Sequence, residues 1–159
     1  MNYWLVANYK INEIKRVEIN LKNQSFHYYL PRIVTKKHNL NPKEEVMFPG
    51  YIFIKSEVDK CSSVRYTKGI KDIIRFGENI AQISDEEIKS INFVEKSSRE
   101  EPLIQEIQIG QQVNIVSGTF KGNIAKICSL PSKERVGILL RILGSMRRID
   151  ISEKDLIFW

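Results

Sequence analysis

The sequence predicts an α+β protein, with strands and helices mixed in its front part and a small β-barrel at its end. Three observations carry that reading. Tyr51-Ile52-Phe53-Ile54 is a β-favouring run without a polar member, set behind Pro49-Gly50, a pair that belongs in a turn or bulge rather than inside a ladder. Ile14, Val17 and Leu21 recur at the three-to-four spacing of an amphipathic helix, among Glu13, Lys15, Arg16, Glu18, Asn20 and Lys22. Beyond Ser97-Ser98-Arg99-Glu100-Glu101-Pro102, a polar stretch ending in proline, short strands follow one another closely with glycine turns between them.

The elements follow in order. Trp4 to Ala7 reads as a first buried strand, opening at residue 3 and closing near Tyr9. The helix begins near Asn12 and ends near Asn23-Gln24. Phe26 to Leu30 is a short extended segment, and Ile33 to Glu45, with Asn39, Asn41 and Pro42 as turn residues, reads as a strand pair joined by an exposed loop. The Tyr51 to Ile54 strand lacks the alternation of a half-exposed strand. It is therefore either central in a sheet covered on both sides or has an apolar face reserved for another molecule. Thr67-Lys68-Gly69-Ile70 is a loop or helix end, and Ile70 to Phe76 is an apolar stretch closed by Gly77. Ser84 as N-cap with Glu87 three residues on forms a capping box, so a helix is predicted over about Asp85 to Lys96, with Ile88, Ile91 and Val94 inward. In the rear part Val113 to Val116, Ile124 to Ile127 and Val136 to Leu143 read as strands. Arg147 to Ile151 and Asp155 to Ile157 complete the expected barrel.

Composition narrows the function. Hydrophobic residues at 42% and charged residues at 28% fit a globular protein rather than a disordered one. A net charge of +6 favours an anionic partner, nucleic acid before membrane. Cys61 and Cys128 stand far apart, and His27 and His38 are the only histidines, too few for a structural zinc site or for acid-base chemistry. No Ser/His/Asp order and no phosphate-cradling glycine loop is present, so an enzyme is not expected, nor a cofactor. The start of the chain has neither a basic n-region nor an apolar h-region, and no apolar run approaches the ~20 residues of a membrane span, so a cytoplasmic protein with reduced thiols is expected.

Two groups of residues resemble one family. Trp4, Phe48-Pro49-Gly50-Tyr51-Ile52-Phe53-Ile54 and Ile74-Arg75-Phe76-Gly77 resemble the N-terminal domain of the NusG transcription elongation factors. Val113 through Gly118-Thr119-Phe120-Lys121-Gly122 to Ile127 resembles the KOW motif that follows it in that family. Within the family, Thr67-Lys68-Gly69 ahead of Arg75-Phe76-Gly77 and the basic first helix are most similar to the operon-specific RfaH branch. The resemblance implies an N-terminal α/β domain with an antiparallel sheet and flanking helices (1–97), a linker (98–108) and a KOW-like domain (109–159). In the RfaH branch that last domain can also pack as an α-helical hairpin. Lys133-Glu134-Arg135 with Ile138 to Leu143 would satisfy a helix as well as a strand.

The resemblance also implies roles. Phe48, Tyr51, Phe53 and Phe76, with Ile88 nearby, would form the apolar patch that grips the β′ clamp helices of RNA polymerase, a few aromatics supplying most of the binding energy. Lys10, Arg16, Gln24, Thr67 and Lys68 match positions that contact the non-template DNA strand. Asn20 and Asn23 stand there in place of a histidine and an arginine, and Lys60-Cys61-Ser62-Ser63 replaces a histidine-threonine run. Glu45 and Arg135 fall where an interdomain ion pair holds the closed form. Phe120, Ile124 and Ile142 are candidate contacts of the freed barrel with a small-subunit ribosomal protein. A monomeric antitermination factor that suppresses pausing and couples transcription to translation is the function implied. A general factor recruiting Rho and a ribosome-associated RNA-binding KOW protein are the alternatives.

Overall fold

Residues 3–37, 40–104, 127 and 130–144 are described in the computed structural model. The chain runs β1 (Tyr3–Tyr9), α1 (Ile14–Asn23), β2 (His27–Tyr29), β3 (Arg32–Lys36), β4 (Lys43–Val46), β5 (Tyr51–Lys55) and α2 (Cys61–Arg65). It continues through β6 (Ile70–Ile73), β7 (Arg75–Phe76), β8 (Asn79–Ile80), β9 (Gln82–Ser84), α3 (Asp85–Glu100) and β10 (Leu103–Ile104) to α4 (residues 132–144). Strands segregated with helices against an antiparallel main sheet make this an α+β fold.

β1 is the strand on which the main sheet is hung. One of its edges pairs antiparallel with β5, Trp4 opposite Lys55 and Asn8 opposite Tyr51. Its other edge is shared, β9 taking Tyr3 to Leu5 and β6 taking Ala7 to Tyr9. β2 lies outside β5, giving the order β2-β5-β1-β6. A second sheet places β3 between antiparallel β4 and parallel β10, and β7 and β8 form a hairpin turned by Gly77, whose φ is 67°.

The period-2 alternation of β1 and β5 divides their side chains between two cores. Leu5, Ala7, Tyr9, Ile52 and Ile54 join Val17 and Leu21 of α1 and Val64 of α2. Val6 and Phe53 point the other way, into a cluster with Ile83, Ile88 and Ile91 and with Ile138, Leu139, Ile142 and Leu143 of α4. β5 is therefore internal and covered on both faces, the first of the two arrangements its unbroken apolar run allowed. Phe48-Pro49-Gly50-Tyr51 is a turn closed by the Tyr51 N–H donating to the Phe48 carbonyl at 3.0 Å. Proline presets the second position, and glycine supplies the φ of 90° needed at the third.

Besides the short strands β8, β9 and β10, for which the sequence indicates no element and the last of which lies in the expected linker, the structure departs from the sequence reading in three places. Cys61–Arg65, for which the sequence indicates no element, is a short helix. α3 runs to Glu100 instead of Lys96, through the first three residues of the expected linker, and Ser98 in that stretch is fully buried. The third departure is the largest: Val136 to Leu143, read along the chain as a strand, is helical, and so is Ile127. Arg135, Ile138, Leu139, Ile142 and Leu143 are all buried while Lys133, Gly137 and Arg141 are exposed, a stripe of helical period. A continuous apolar run fits either period, and burial of that stripe outweighs the modest strand preference of isoleucine. The strands expected at 113–116 and beyond residue 144, with Phe120 and Ile124, lie outside the described residues.

Candidate functional site

One side of the molecule is built from aromatic and aliphatic side chains at the ends of β4, β5 and β7. Phe48 and Phe53 meet edge to face, with ring centroids 6.2 Å apart and planes at 88°. Tyr29 lies against Phe53 at 6.4 Å. Tyr51 and Phe76 are half-buried on the rim of this cluster, and Ile88 reaches it from α3. All five residues expected in the apolar patch thus lie in one cluster, but Phe48 and Phe53 have no exposed surface. α4 lies over them. Ile142, expected as a contact of a barrel surface, is 1% exposed and points into the same cluster, and Gly144 lies beside the Phe76 ring, where a Cβ would fall in ordinary contact at 3.4 Å.

Arg135 fixes α4 in place. Its guanidinium is fully buried, and each nitrogen donates: Nε to the Met47 carbonyl at 2.7 Å, Nη1 to the Leu130 carbonyl, and Nη2 to Glu45 Oε1 at 2.6 Å. A buried cation is tolerated only when paired and hydrogen-bonded. Here one carboxylate and the chain ends beside β4 and α4 supply the partners. The planar fork makes Arg135 specific for this register, because its donors must meet backbone carbonyls from two distant segments at once.

The opposite side of the molecule is polar and basic. Lys10 is brought to the 67–69 turn by its N–H, which donates to the Gly69 carbonyl at 2.9 Å. Gly69 has a φ of 93°, and a Cβ there would collide with Val17, so the turn packs directly on α1. Gln24 Nε2 donates to Thr67 Oγ1 at 2.9 Å, and Thr67 Oγ1 donates to the Ser63 carbonyl at 2.9 Å. Arg16 holds Glu13 at 2.9 Å and Lys10 lies 3.7 Å from the same carboxylate. Asn20 Nδ2 donates back to the Arg16 carbonyl at 2.8 Å, while Asn23 and Lys68 are exposed. The seven residues expected to contact DNA are therefore distributed over the end of β1, the outer face of α1 and the turn after α2. Thr67 among them is buried, and its only proton is committed to Ser63. Beside this face opens a cleft of about 840 Å³ lined by Gln24, His27, Lys55, Lys60, Ser63 and Gln82.

Sequence reasoning missed three features. Glu95 and Ser98 continue the inward stripe of α3 with polar side chains: Glu95 accepts from the Tyr29 hydroxyl and the Arg32 N–H, and Ser98 Oγ accepts from the Val34 N–H at 3.0 Å. The signal was the spacing 88, 91, 95, 98, which runs past the last apolar residue. Trp4 is tied to the start of α3, its Nε1 donating to Asp85 Oδ1 at 2.6 Å with Lys55 Nζ 5.8 Å above the ring. Tyr66, 80% exposed next to Thr67, was passed over because a lone aromatic in a polar stretch has no period. Burial pushes the Tyr9 phenol above its usual range, with the Gly50 backbone and Arg32 pulling the other way. Among the described residues no cluster of His, Cys, Asp and Glu could hold a metal ion, and no helix is long and apolar enough to cross a membrane.

The chain is similar to known proteins in two comparisons. A solved structure described as "Domain interaction in Thermotoga maritima NusG" matches with a TM-score of 0.43 at 17% identity, covering 77% of this chain and 76% of that one. No curated protein sequence matches significantly. The family model described as "Transcription termination factor nusG" matches residues 2–92, from β1 into the middle of α3. That is more than half of the chain, and it spans the main sheet, α1, α2 and the apolar cluster's aromatic residues. The protein belongs to the NusG family of transcription elongation and termination factors, which are not enzymes and generally bind RNA polymerase.

Proposed function

We propose that this protein is an RfaH-like member of the family, an antitermination factor that grips the β′ clamp helices of RNA polymerase and suppresses pausing. The grip is the cluster of Phe48, Tyr51, Phe53, Phe76 and Ile88. The non-template DNA strand crosses the basic side, over Lys10, Arg16, Asn20, Asn23, Gln24 and Lys68. Residues 109–159 act as a separable module that covers the grip at rest through α4 and, once released, engages a small-subunit ribosomal protein.

The observation that carries this reading is the position of α4 over Phe48 and Phe53, with Arg135 buried on Glu45 at 2.6 Å. A face rich in aromatics is what a partner helix needs for a hot spot. Placing the chain's own helix there makes binding of the polymerase conditional on its removal. Glu45→Lys sets a like charge against a buried guanidinium, and breaking such a pair costs about 3–5 kcal/mol. In the full chain this substitution is expected to tighten binding to core polymerase by on the order of 100-fold. Adding Tyr51→Glu is expected to remove the gain. Equal binding by the unaltered and Glu45→Lys chains, or binding by the folded double variant as tight as by the single, would sink the proposal.

A further inference from the structure

We infer that Tyr66 is a stacking platform for an unpaired base of a single DNA strand lying across the basic side. The inference rests on the nucleic-acid part of the proposed function and names a residue which that reading does not use. Among the described residues Tyr66 is the most exposed of the large hydrophobic side chains, at 80%. A single exposed apolar side chain needs no explanation by itself. Its mounting and its surroundings supply one.

The mounting is rigid. The Tyr66 N–H closes α2 on the Ser62 carbonyl at 3.0 Å, and the Thr67 N–H that follows donates to the Val64 carbonyl at 3.1 Å. Arg65, the residue before, is held by Asp72 at 3.3 Å, and Thr67 after it is buried and bonded to both Gln24 and Ser63. The ring therefore projects from a fixed base, with little backbone freedom to lose when a ligand lands on it.

The surroundings are those of a single-stranded nucleic acid site, cations for phosphate with an aromatic face for a base. Lys10, Arg16, Arg65 and Lys68 bring four positive charges to this side, against which Glu13 and Asp72 set two negative ones. The net positive charge suits a phosphate backbone, and Asn23 presents its exposed amide to base edges, whereas Gln24 and Asn20, whose Nε2 and Nδ2 donate within the protein, present their side-chain oxygens. Gln24 and Ser63, both bonded through Thr67 to the base of the ring, are also walls of the 840 Å³ cleft that continues toward Lys60 and Lys55. The cleft lining carries Lys55, Lys60 and His27 beside a single carboxylate, Glu57, and Lys55 is shared with Asp85 at 3.9 Å, so a strand stacked on Tyr66 meets the cation of Lys60 on its way into the cleft. A duplex has no free base face to offer the ring, so an unpaired strand is required.

The test uses the full chain and a mixed-sequence single-stranded DNA carrying 5-iodouracil at one position. Near-ultraviolet irradiation should cross-link the halogenated base to Tyr66. Fluorescence anisotropy should show Tyr66→Ala weakening the complex by about five- to a hundred-fold, the range of one lost base–aromatic stack. Tyr66→Phe should keep the affinity, and Lys68→Ala should instead flatten the salt dependence. Unchanged binding by Tyr66→Ala, a cross-link mapping elsewhere, or no binding of the oligonucleotide overturns the inference. Equal or stronger cross-linking to the RNA counterpart overturns the assignment to DNA. Polymerase binding by the Glu45→Lys chain does not depend on Tyr66, so failure of the stack and failure of the clamp grip are told apart.

Discussion

The two faces of the main sheet are covered in different ways. α1 and α2 lie on one face, each joined to a strand it covers by a short connection, and among the described residues the cluster they bury with β5 and β1 holds no charged side chain. The other face is shared between α3 and α4, and α4 arrives from far away, Arg135 bonding to Met47 across 88 residues of chain. Local covers close small loops and form at low entropic cost, whereas a distant one closes a long loop. The distant cover also carries a buried guanidinium, a contact that contributes little net stability but dictates register. One face is thus held by an apolar core without a buried charge, and the other by an apolar core with a buried, keyed cation. The first is the kind of core that holds a domain together; the second is the kind that a competitor for the same apolar surface could replace.

The sharpest way to break this contrast is a matched pair of truncations. Ile52→Ala, in the α1 face, is expected to lower global stability by about 2–5 kcal/mol, read by denaturant unfolding. Leu139→Ala, in α4, removes a side chain of similar size and equally buried, yet its effect should be confined to hydrogen exchange within α4 while β5 amides keep their protection. Equal loss of protection in both elements would make the two faces one cooperative unit. A smaller effect of opposite sign is expected at Ser25, which follows α1 with a φ of 63°. It is the left-handed residue of a helix-ending motif in which Phe26 N–H donates to the Leu21 carbonyl and Ser25 N–H to the Lys22 carbonyl. Ser25→Gly should stabilise the protein by about 1 kcal/mol by relieving the Cβ penalty, measured as a raised denaturation midpoint.

The smallest effect concerns pH. The Tyr9 phenol is raised in the folded state by burial, so its neutral form is favoured there. Its contribution is full below the ordinary tyrosine range of about 10 and is lost as pH rises through the higher folded value. Tyr9→Phe should flatten the alkaline limb of the stability profile and leave it unchanged near neutrality. An unaltered limb would place the alkaline loss elsewhere.

Much of the fold was legible because its signals are local. β1, α1, the Pro49-Gly50 turn and the Ser84 cap each follow from a few adjacent residues, and Ser84 Oγ does accept from the Glu87 N–H at 3.3 Å. Where the deciding contact is distant, the reading fell short. The end of α3 is set by Glu95 and Ser98 meeting β3, which no count of apolar residues along α3 reveals. The state of 132–144 is set by a surface of β4 and β5 that the segment itself does not encode, and Ile138 to Leu143 alone fits both periods. In the basic face, the residue types were legible but their wiring was not: Thr67 looks like a base reader by type and is occupied by Ser63 and Gln24.

The Glu95 and Ser98 contacts have a consequence for behaviour at high concentration. An outer strand with unsatisfied amides is a template on which a second chain can build. Because Arg32 and Val34 spend their amides on two side chains of α3, and β10 takes the next stretch at Thr35 and Lys36, that border offers an incoming strand little to bond. A carboxylate and a hydroxyl, placed where a helix would ordinarily bury aliphatic groups, thus leave no open amide at Arg32 or Val34 for a second chain to bond.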